Sequence, residues 1–547
     1  MTKVLSAPEP GRWRVGQPAG SSPEATTPYL DAVHRYVTGE PSRLTVPGHK
    51  GGLAAPASLL HGHGAAAMAL DVPQLIEGID RASGHASPFE LAERRAAVAW
   101  GAARTWFLTG GATQGNLAAC LTVACAAATP AVAVQRSSHS STFSGMALAG
   151  LRPTSVMPEL DEQLAVAHGI TPEALRAQLQ RNPAIRAVFV VSPSYFGACA
   201  DVRGLAAVAH EHGAVLVVDE AWGAHLRFSD ALPPDALTSG ADLVISSPHK
   251  HLGSLSGSAM LHLGHGAPAW LTAGKVDRAL GLVTSTSPSS LLLASLDAAR
   301  ARAEVEGGPL LAMAVRELRE VREAICEIPG LVAIDESFVG RPGFAGLDPL
   351  RLTIDVRATG WTGYQLAEAL RASAGVELEL ALERVVVAVF GVGESPLASA
   401  EPMLDGLAAL SHAWVRSRRA PAPRGGPAAA ELAAASPRHT GSARRPHGPR
   451  AAQTPREALW APSTLVPIEQ AQGRVAAEAL VPYPPGIPAV LPGEVIDGDV
   501  LRGLRDAVSL GAHLRGATDP TLQHVLVVDD PLAALEASAR VGVPGLA

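Results

Sequence analysis

The run ADLVISSPHK, residues 241–250, carries a short apolar strand (Leu243 to Ile245) into small polar residues and then Lys250. A lysine crowded by backbone at the mouth of a strand can form a Schiff base with an aldehyde. Most lysines are solvated charge, so this one gains meaning only from a partner. The upstream run AVLVVDEAWGAHL supplies that partner, because Asp219 closes the strand Ala214 to Asp219. An acid and a lysine at the tips of neighbouring parallel strands suit pyridoxal phosphate (PLP): the lysine forms the imine and the acid keeps the pyridine nitrogen protonated.

The elements around this pair alternate. An apolar strand (Trp106 to Leu108) enters the Gly/Thr loop Thr109 to Gly115, and an Ala-rich helix is expected to start near Asn116. Free backbone N–H groups at such a helix start bind phosphate, and Thr113 adds a hydroxyl donor. The strand Ala131 to Gln135 ends in Arg136-Ser137-Ser138-His139. Further units follow: helix Pro172 to Gln180, strand AVFVVSPSYFG, helix Val202 to His212, then the strands ending at Asp219 and Ile245. Near-continuous Val/Leu/Ile/Phe runs alternating with helices predict an α/β fold with a mainly parallel sheet covered on both faces. Every motif loop follows a strand, so one sheet edge gathers Thr113, His139, Tyr195, Asp219, His225 and Lys250. That edge is where such sheets bind ligands.

The 547 residues suffice for several domains, and a net charge of −7 implies neither nucleic acid nor an anionic membrane as partner. Four cysteines without a CxxC pair read as thiols of a reducing cytoplasm. The N-terminal stretch shows no apolar core of a secretion signal, and the apolar run Leu117 to Val134 is broken by Pro130, so no membrane span is expected. The organisation reads as a flexible arm (1–27), a large domain (28–309), a small α+β domain (310–415), a basic Pro/Ala/Arg-rich linker (416–455) and a C-terminal domain (456–547). Within the last, the prolines and glycines from Tyr483 to Glu494 predict a rigid, non-helical turn.

The runs VPGHKGG, FLTGGATQGN, VVDEAWGAHL, SSPHKHL, STSPSSLLLASLD and above all YPPGIPAVLPGE resemble those of the Orn/Lys/Arg decarboxylase family, over roughly Pro28 to Val415 and Leu459 to Val528. The resemblance implies a PLP-dependent fold-type-I enzyme, in a short form without an N-terminal wing domain, working as a homodimer with active sites at the subunit interface. It implies that Lys250 forms the Schiff base and Asp219 partners the pyridine nitrogen. It implies His139 stacked on the ring with Ala221 against the other face, and Trp222 near the ring oxygen. Gly111, Ala112 and Thr113 would cradle the phosphate with Ser247 and His249, and Thr286 or Ser287 would reach the neighbouring subunit's phosphate. His249 or Lys250 would return a proton to Cα. No metal is implied. A basic substrate needs a carboxylate in the pocket, for which Glu379 and Glu494 are the candidates by motif position. Where relatives carry Gln shortly after the lysine, this chain has SLSGSAM around Gly257.

The activity this implies is decarboxylation of lysine, ornithine or arginine to a diamine or agmatine. Two alternatives stand beside it: an aminotransferase or other lyase on the same scaffold, with Arg351 as a carboxylate clamp or merely a strand residue, and a non-catalytic regulator. The regulator requires loss of the lysine or aspartate, and both are present.

Overall fold

The computed structural model describes residues 26–61, 64–419, 450–483, 487–509 and 512–529. The arm is therefore outside it apart from Thr26 and Thr27, as are most of the expected linker and part of the proline-rich turn.

Seven strands form the central sheet: β1 (Arg104–Leu108), β2 (Ala131–Gln135), β3 (Arg152–Val156), β4 (Ala187–Val191), β5 (Val215–Glu220), β6 (Leu243–Ser246) and β7 (Ala259–Leu263). They lie in the order β1-β7-β6-β5-β4-β2-β3. All pairings are parallel except those of β7, which runs antiparallel to both neighbours. Alternate residues face opposite sides of the sheet, so two cores form. One side packs Val132, Val134, Phe189, Val215, Val217, Leu243 and Ile245 against helices that include Gly111–Ala126 and Ser140–Ala149. The other packs Ala133, Val188, Val190, Leu216, Val218 and Val244 against Pro172–Arg181 and Val202–Glu211. Burial on both faces is why the strands read as unbroken apolar runs.

The helix after β1 begins at Gly111, not near Asn116. Its glycines are packing residues as much as loop formers. A Cβ on Gly115 would lie 2.7 Å from Ile245 Cγ2, so only glycine lets the helix sit this low over β6. The strand β7 was not foreseen, because His262 interrupts its apolar run. That imidazole is fully buried, bonded to Thr105 Oγ1 and Ser246 Oγ at 2.8 Å each, and stacked on Trp100. It ties β1, β7 and β6 together just below Ser247 and Lys250.

A helix of 38 residues, Ser290–Glu327, runs unbroken past Pro309, so the expected domain boundary at 309/310 falls inside one rod. It leads to a four-stranded antiparallel sheet in the order β8-β9-β11-β10, made of β8 (Val332–Ala333), β9 (Arg351–Asp355), β10 (Leu380–Ala381) and β11 (Val385–Val389). The helix Pro396–Arg419 closes this unit. The C-terminal segment has its own core around Leu480, Leu504, Val525 and Val527. It carries two ribbons, β12 (Ser463–Pro467) with β15 (His524–Val528) and β13 (Val481–Tyr483) with β14 (His513–Arg515). Among the described residues no helix is long and apolar enough to cross a membrane.

Candidate active site

The parallel strands deliver their loops to one edge. Asp219 lies opposite Ile245 in the β5–β6 register, one residue before the pair Glu220–Ser246, so its carboxylate and the turn bearing Lys250 leave the sheet side by side. Both carboxylate oxygens are held: Oδ1 accepts from the Ala221 amide (3.1 Å) and Oδ2 from Asn116 Nδ2 (2.8 Å). The same Asn116 nitrogen contacts Ser141 Oγ (3.0 Å), which reaches His139 Nδ1 (2.8 Å). The four side chains form one buried relay. The Ser141 amide donates to His139 Nδ1 (3.2 Å), which leaves the ring proton on Nε2. Burial holds the His139 pKa below its ordinary value, against the pull of Asp219 and together with the repulsion of Lys250 and Arg515. A neutral imidazole fits the ring-stacking role expected of it. Asn116, the orienting residue, was read in the sequence only as a helix start.

Lys250 sits on the helical turn Pro248–His251. Its Nζ lies 3.7 Å from the ring centre of Trp222. Burial lowers its pKa to about 8, with Asp219 opposing that shift and Arg351 adding to it. A neutral amine, the nucleophilic form, is thus within reach near neutral pH. Trp222 and Ala221 are buried immediately after Asp219.

The anion-binding end differs from expectation in two ways. Gly111 is αL (φ +67°) and its amide donates to the Gly257 carbonyl at 2.7 Å, so it is committed and cannot serve a phosphate. Ala112 and Thr113 remain, as amides of a first helical turn that have no intrahelical acceptor. His249 gives its Nδ1 proton to the Ser258 carbonyl (2.6 Å), and burial keeps its pKa low. Its other nitrogen is then a proton acceptor rather than a phosphate donor. The Ser247 hydroxyl is fully buried and has no partner.

The two substrate carboxylates separate. Glu379 is exposed and lies close enough to Lys250 and Arg351 to act on both charges. Glu494 is not available to a substrate. It pairs with the buried Arg136 at 2.5 and 2.9 Å and accepts the Leu491 amide at 2.8 Å, while Arg136 also holds the Ala489 carbonyl. With Leu491 packed into the large-domain core, this pair docks the C-terminal segment three residues from His139. Removing one member of a buried ion pair costs roughly 3–5 kcal/mol, so Glu494→Ala is expected to lower the thermal unfolding midpoint by many degrees. Calorimetry of the purified variant checks this; an unchanged midpoint contradicts the docking role.

Thr286 and Ser287 stand exposed on the turn before the long helix, with Ser287 bonded back to Ser285. His225, placed by sequence at the sheet edge, lies beneath it, fully buried. Its Nε2 meets Asp348 Oδ1 at 3.0 Å and its ring packs on His251 (4.4 Å between centres). His251 Nδ1 donates to the Phe390 carbonyl (2.9 Å). These three side chains could offer ligand atoms within 4.8 Å of one another. The existing bonds, and the cationic Arg351 near both His251 and Asp348, make them an anchor between the large and small units.

The family model "Orn/Lys/Arg decarboxylase, major domain" matches residues 27–340, and "Orn/Lys/Arg decarboxylase, C-terminal domain" matches 446–518. The chain is 30% identical over 510 residues to an arginine decarboxylase of Bacillus subtilis (strain 168), covering 93% of this chain and 99% of that one. It is 31% identical over 508 residues to an arginine decarboxylase of Bacillus anthracis, covering 92% and 97%. Among solved structures, lysine decarboxylase A from Pseudomonas aeruginosa superposes with a TM-score of 0.76 at 21% identity, covering 92% of this chain and 80% of that one. The architecture is that of the PLP-dependent fold-type-I enzymes. The chain belongs to the Orn/Lys/Arg decarboxylase family and is an amino-acid decarboxylase.

Proposed function

We propose that the protein decarboxylates L-arginine to agmatine and carbon dioxide, with PLP held by Lys250. The observation that carries this is the pairing of a desolvated lysine with an oriented carboxylate at neighbouring strand ends, Lys250 over Trp222 and Asp219 fixed by Asn116 and the Ala221 amide. The residues fit the cofactor. The orphaned Ser247 hydroxyl, with the amides of Ala112 and Thr113, would hold its phosphate; His139 and Ala221 would enclose its ring; Trp222 floors the lysine. PLP, when bound, supplies an electron sink for the pair released as the carboxylate leaves.

The chain's own residues do the rest. Asp219 would present its carboxylate to the cofactor's ring nitrogen, and its two donors keep it from rotating. Lys250 would accept and return a proton near neutral pH, and His249, with Nδ1 tied to the Ser258 carbonyl, would offer Nε2 as a second acceptor. Burial around Trp222 excludes water from the cleaving bond. Glu379 lies at the exposed side, where a guanidinium can be met. The arginine decarboxylases matched over nearly the whole chain support arginine over lysine or ornithine.

We place the enzyme in the cytoplasm as a homodimer. Exposed apolar residues support a partner surface: Leu44 is 90% exposed and Leu53 is 92% exposed. The exposed turn that carries Thr286 and Ser287 supports the same reading, as a contact for a second subunit's site.

Offering arginine, lysine and ornithine separately tests the assignment. The expected result is agmatine with equimolar CO₂ from arginine, at least about tenfold faster than amine formation from the others. A keto acid without CO₂ would establish the aminotransferase alternative instead.

A further inference from the structure

His262 lies on β7, opposite Thr105 of β1 and Val244 of β6, and is wholly buried. Trp100, Phe107 and Met260 belong to the apolar core on this side of the sheet. Into that core the chain sets three polar side chains at one point. The imidazole meets the Thr105 hydroxyl through Nδ1 and the Ser246 hydroxyl through Nε2, each at 2.8 Å. Burial pushes its pKa down to about 3, so the ring is neutral, and one nitrogen donates while the other accepts. Apolar side chains filling the same outline would stabilise the core about as well, because a satisfied buried polar pair gains little net free energy. What a buried polar cluster adds is a fixed geometry.

The contacts close a circuit around the lysine. His262 stacks on Trp100, with 5.6 Å between ring centres and 24° between planes. Trp100 ends the helix Pro88–Trp100 and donates its Nε1 proton to the Ala224 carbonyl at 3.2 Å. Ala224 stands two residues after Trp222, whose ring centre lies 3.7 Å from Lys250 Nζ. Lys250 leads back to Ser246 along the chain, through a turn closed by the Lys250 amide on the Ser247 carbonyl at 3.0 Å. The strand ends that carry Asp219 and Lys250 are thus braced against each other from below.

We infer that His262 is a positioning residue for the turn Ser247–Lys250, acting through Ser246. The inference rests on the reading that Ser247 and Lys250 hold PLP. Ser246 shares a face of β6 with Val244, and the next residue, Ser247, faces the other way. Holding Ser246 Oγ therefore fixes the rotation of the strand end, and with it the aim of the buried, unpaired Ser247 hydroxyl. Both nitrogens of His262 are engaged, so none is left for cofactor or substrate. Its whole effect on the site is carried by the serine it grips.

The two links can be cut separately. A glutamine amide ends near the place of the imidazole Nε2, and the shorter asparagine amide near that of Nδ1. His262→Gln therefore keeps a partner for Ser246, and His262→Asn keeps one for Thr105. The dissociation constant of PLP, titrated into the cofactor-free full chain, is expected to stay within about threefold in His262→Gln. In His262→Asn it should rise roughly tenfold or more, the scale of one lost hydrogen bond to a charged group. The visible band of lysine-bound cofactor should weaken in parallel. Ser246→Ala cuts the same link from its other end and should match His262→Asn, while Thr105→Val should match His262→Gln. This second pair decides the matter if a His262 variant does not fold. Affinity losses that follow the melting temperature rather than the Ser246 link, or that are equal within a pair of variants, overturn the inference and leave His262 as a core residue. If the parent protein binds no PLP, the reading of Ser247 and Lys250 fails, and hydrogen exchange of the amides of residues 249–252 decides the brace by itself. Exchange faster by about tenfold in Ser246→Ala but not in Thr105→Val supports it, and equal exchange in the two removes it.

Discussion

Lys250→Ala is expected to lower decarboxylation by more than about a thousandfold, because no other amine replaces the attacking nitrogen. The purified variant should also lack the visible absorption band of a lysine-bound cofactor. Stability should not suffer. The ammonium group sits beside cationic Arg351 in a desolvated place, and both influences push its pKa down to about 8. Removing it relieves a cost that the folded state carries for function, so the unfolding temperature should hold or rise. A variant that keeps its visible band would falsify the assignment of Lys250. A variant that merely unfolds would show both losses with a lowered melting temperature, which calorimetry distinguishes.

The second large effect is expected at Asp219. Both of its oxygens accept hydrogen bonds, from the Ala221 amide and from Asn116. Asn has one acceptor and one donor in the same outline, so Asp219→Asn sets a donor against a donor on one side and removes the charge. The charge is the larger loss. Without it the pyridine nitrogen is no longer held protonated, and a fall in kcat of about a thousandfold is expected alongside weaker cofactor retention. Steady-state rates and cofactor titration on the same preparation check this. Activity within tenfold of the parent enzyme would remove Asp219 from the proposed chemistry.

Much of this site was legible in the chain because parallel strands are apolar and their ends are not. Asp219 and Lys250 announced themselves by closing two such runs. What stayed illegible depended on contacts between distant segments. Gly111 looks like a phosphate cradle in sequence, yet its amide belongs to Gly257, 146 residues away along the chain. Glu494 looks like a substrate ligand by its motif, yet it answers Arg136, just past the end of β2. Asn116 carries no signal of its own, since an asparagine near a helix start is usually capping backbone. Arg351 was ambiguous for the same reason: a strand arginine reads as surface until its burial and its two idle donors are seen. The strand Ala259–Leu263 was missed because a buried histidine satisfied by Thr105 and Ser246 looks polar in one dimension and is not in three.

The long helix Ser290–Glu327 has a mechanical consequence. At 38 residues it spans about 57 Å and belongs to both the large and the small unit, so there is no slack joint between them. Its midpoint reads Glu306-Gly307-Gly308-Pro309. Proline removes the amide that would have met the Val305 carbonyl, and two glycines beside it add little side-chain bracing. Bending stiffness is therefore lowest at that single turn. A flexure of roughly 5° there swings a point 20 Å along the rod by about 2 Å, the scale on which arginine-to-carboxylate contacts are made or lost. Arg351 rides on one arm of this beam and Lys250 is fixed to the other, and the His225–Asp348–His251 anchor clamps the two arms together beside Trp222, so flexure at this turn is taken up away from the site.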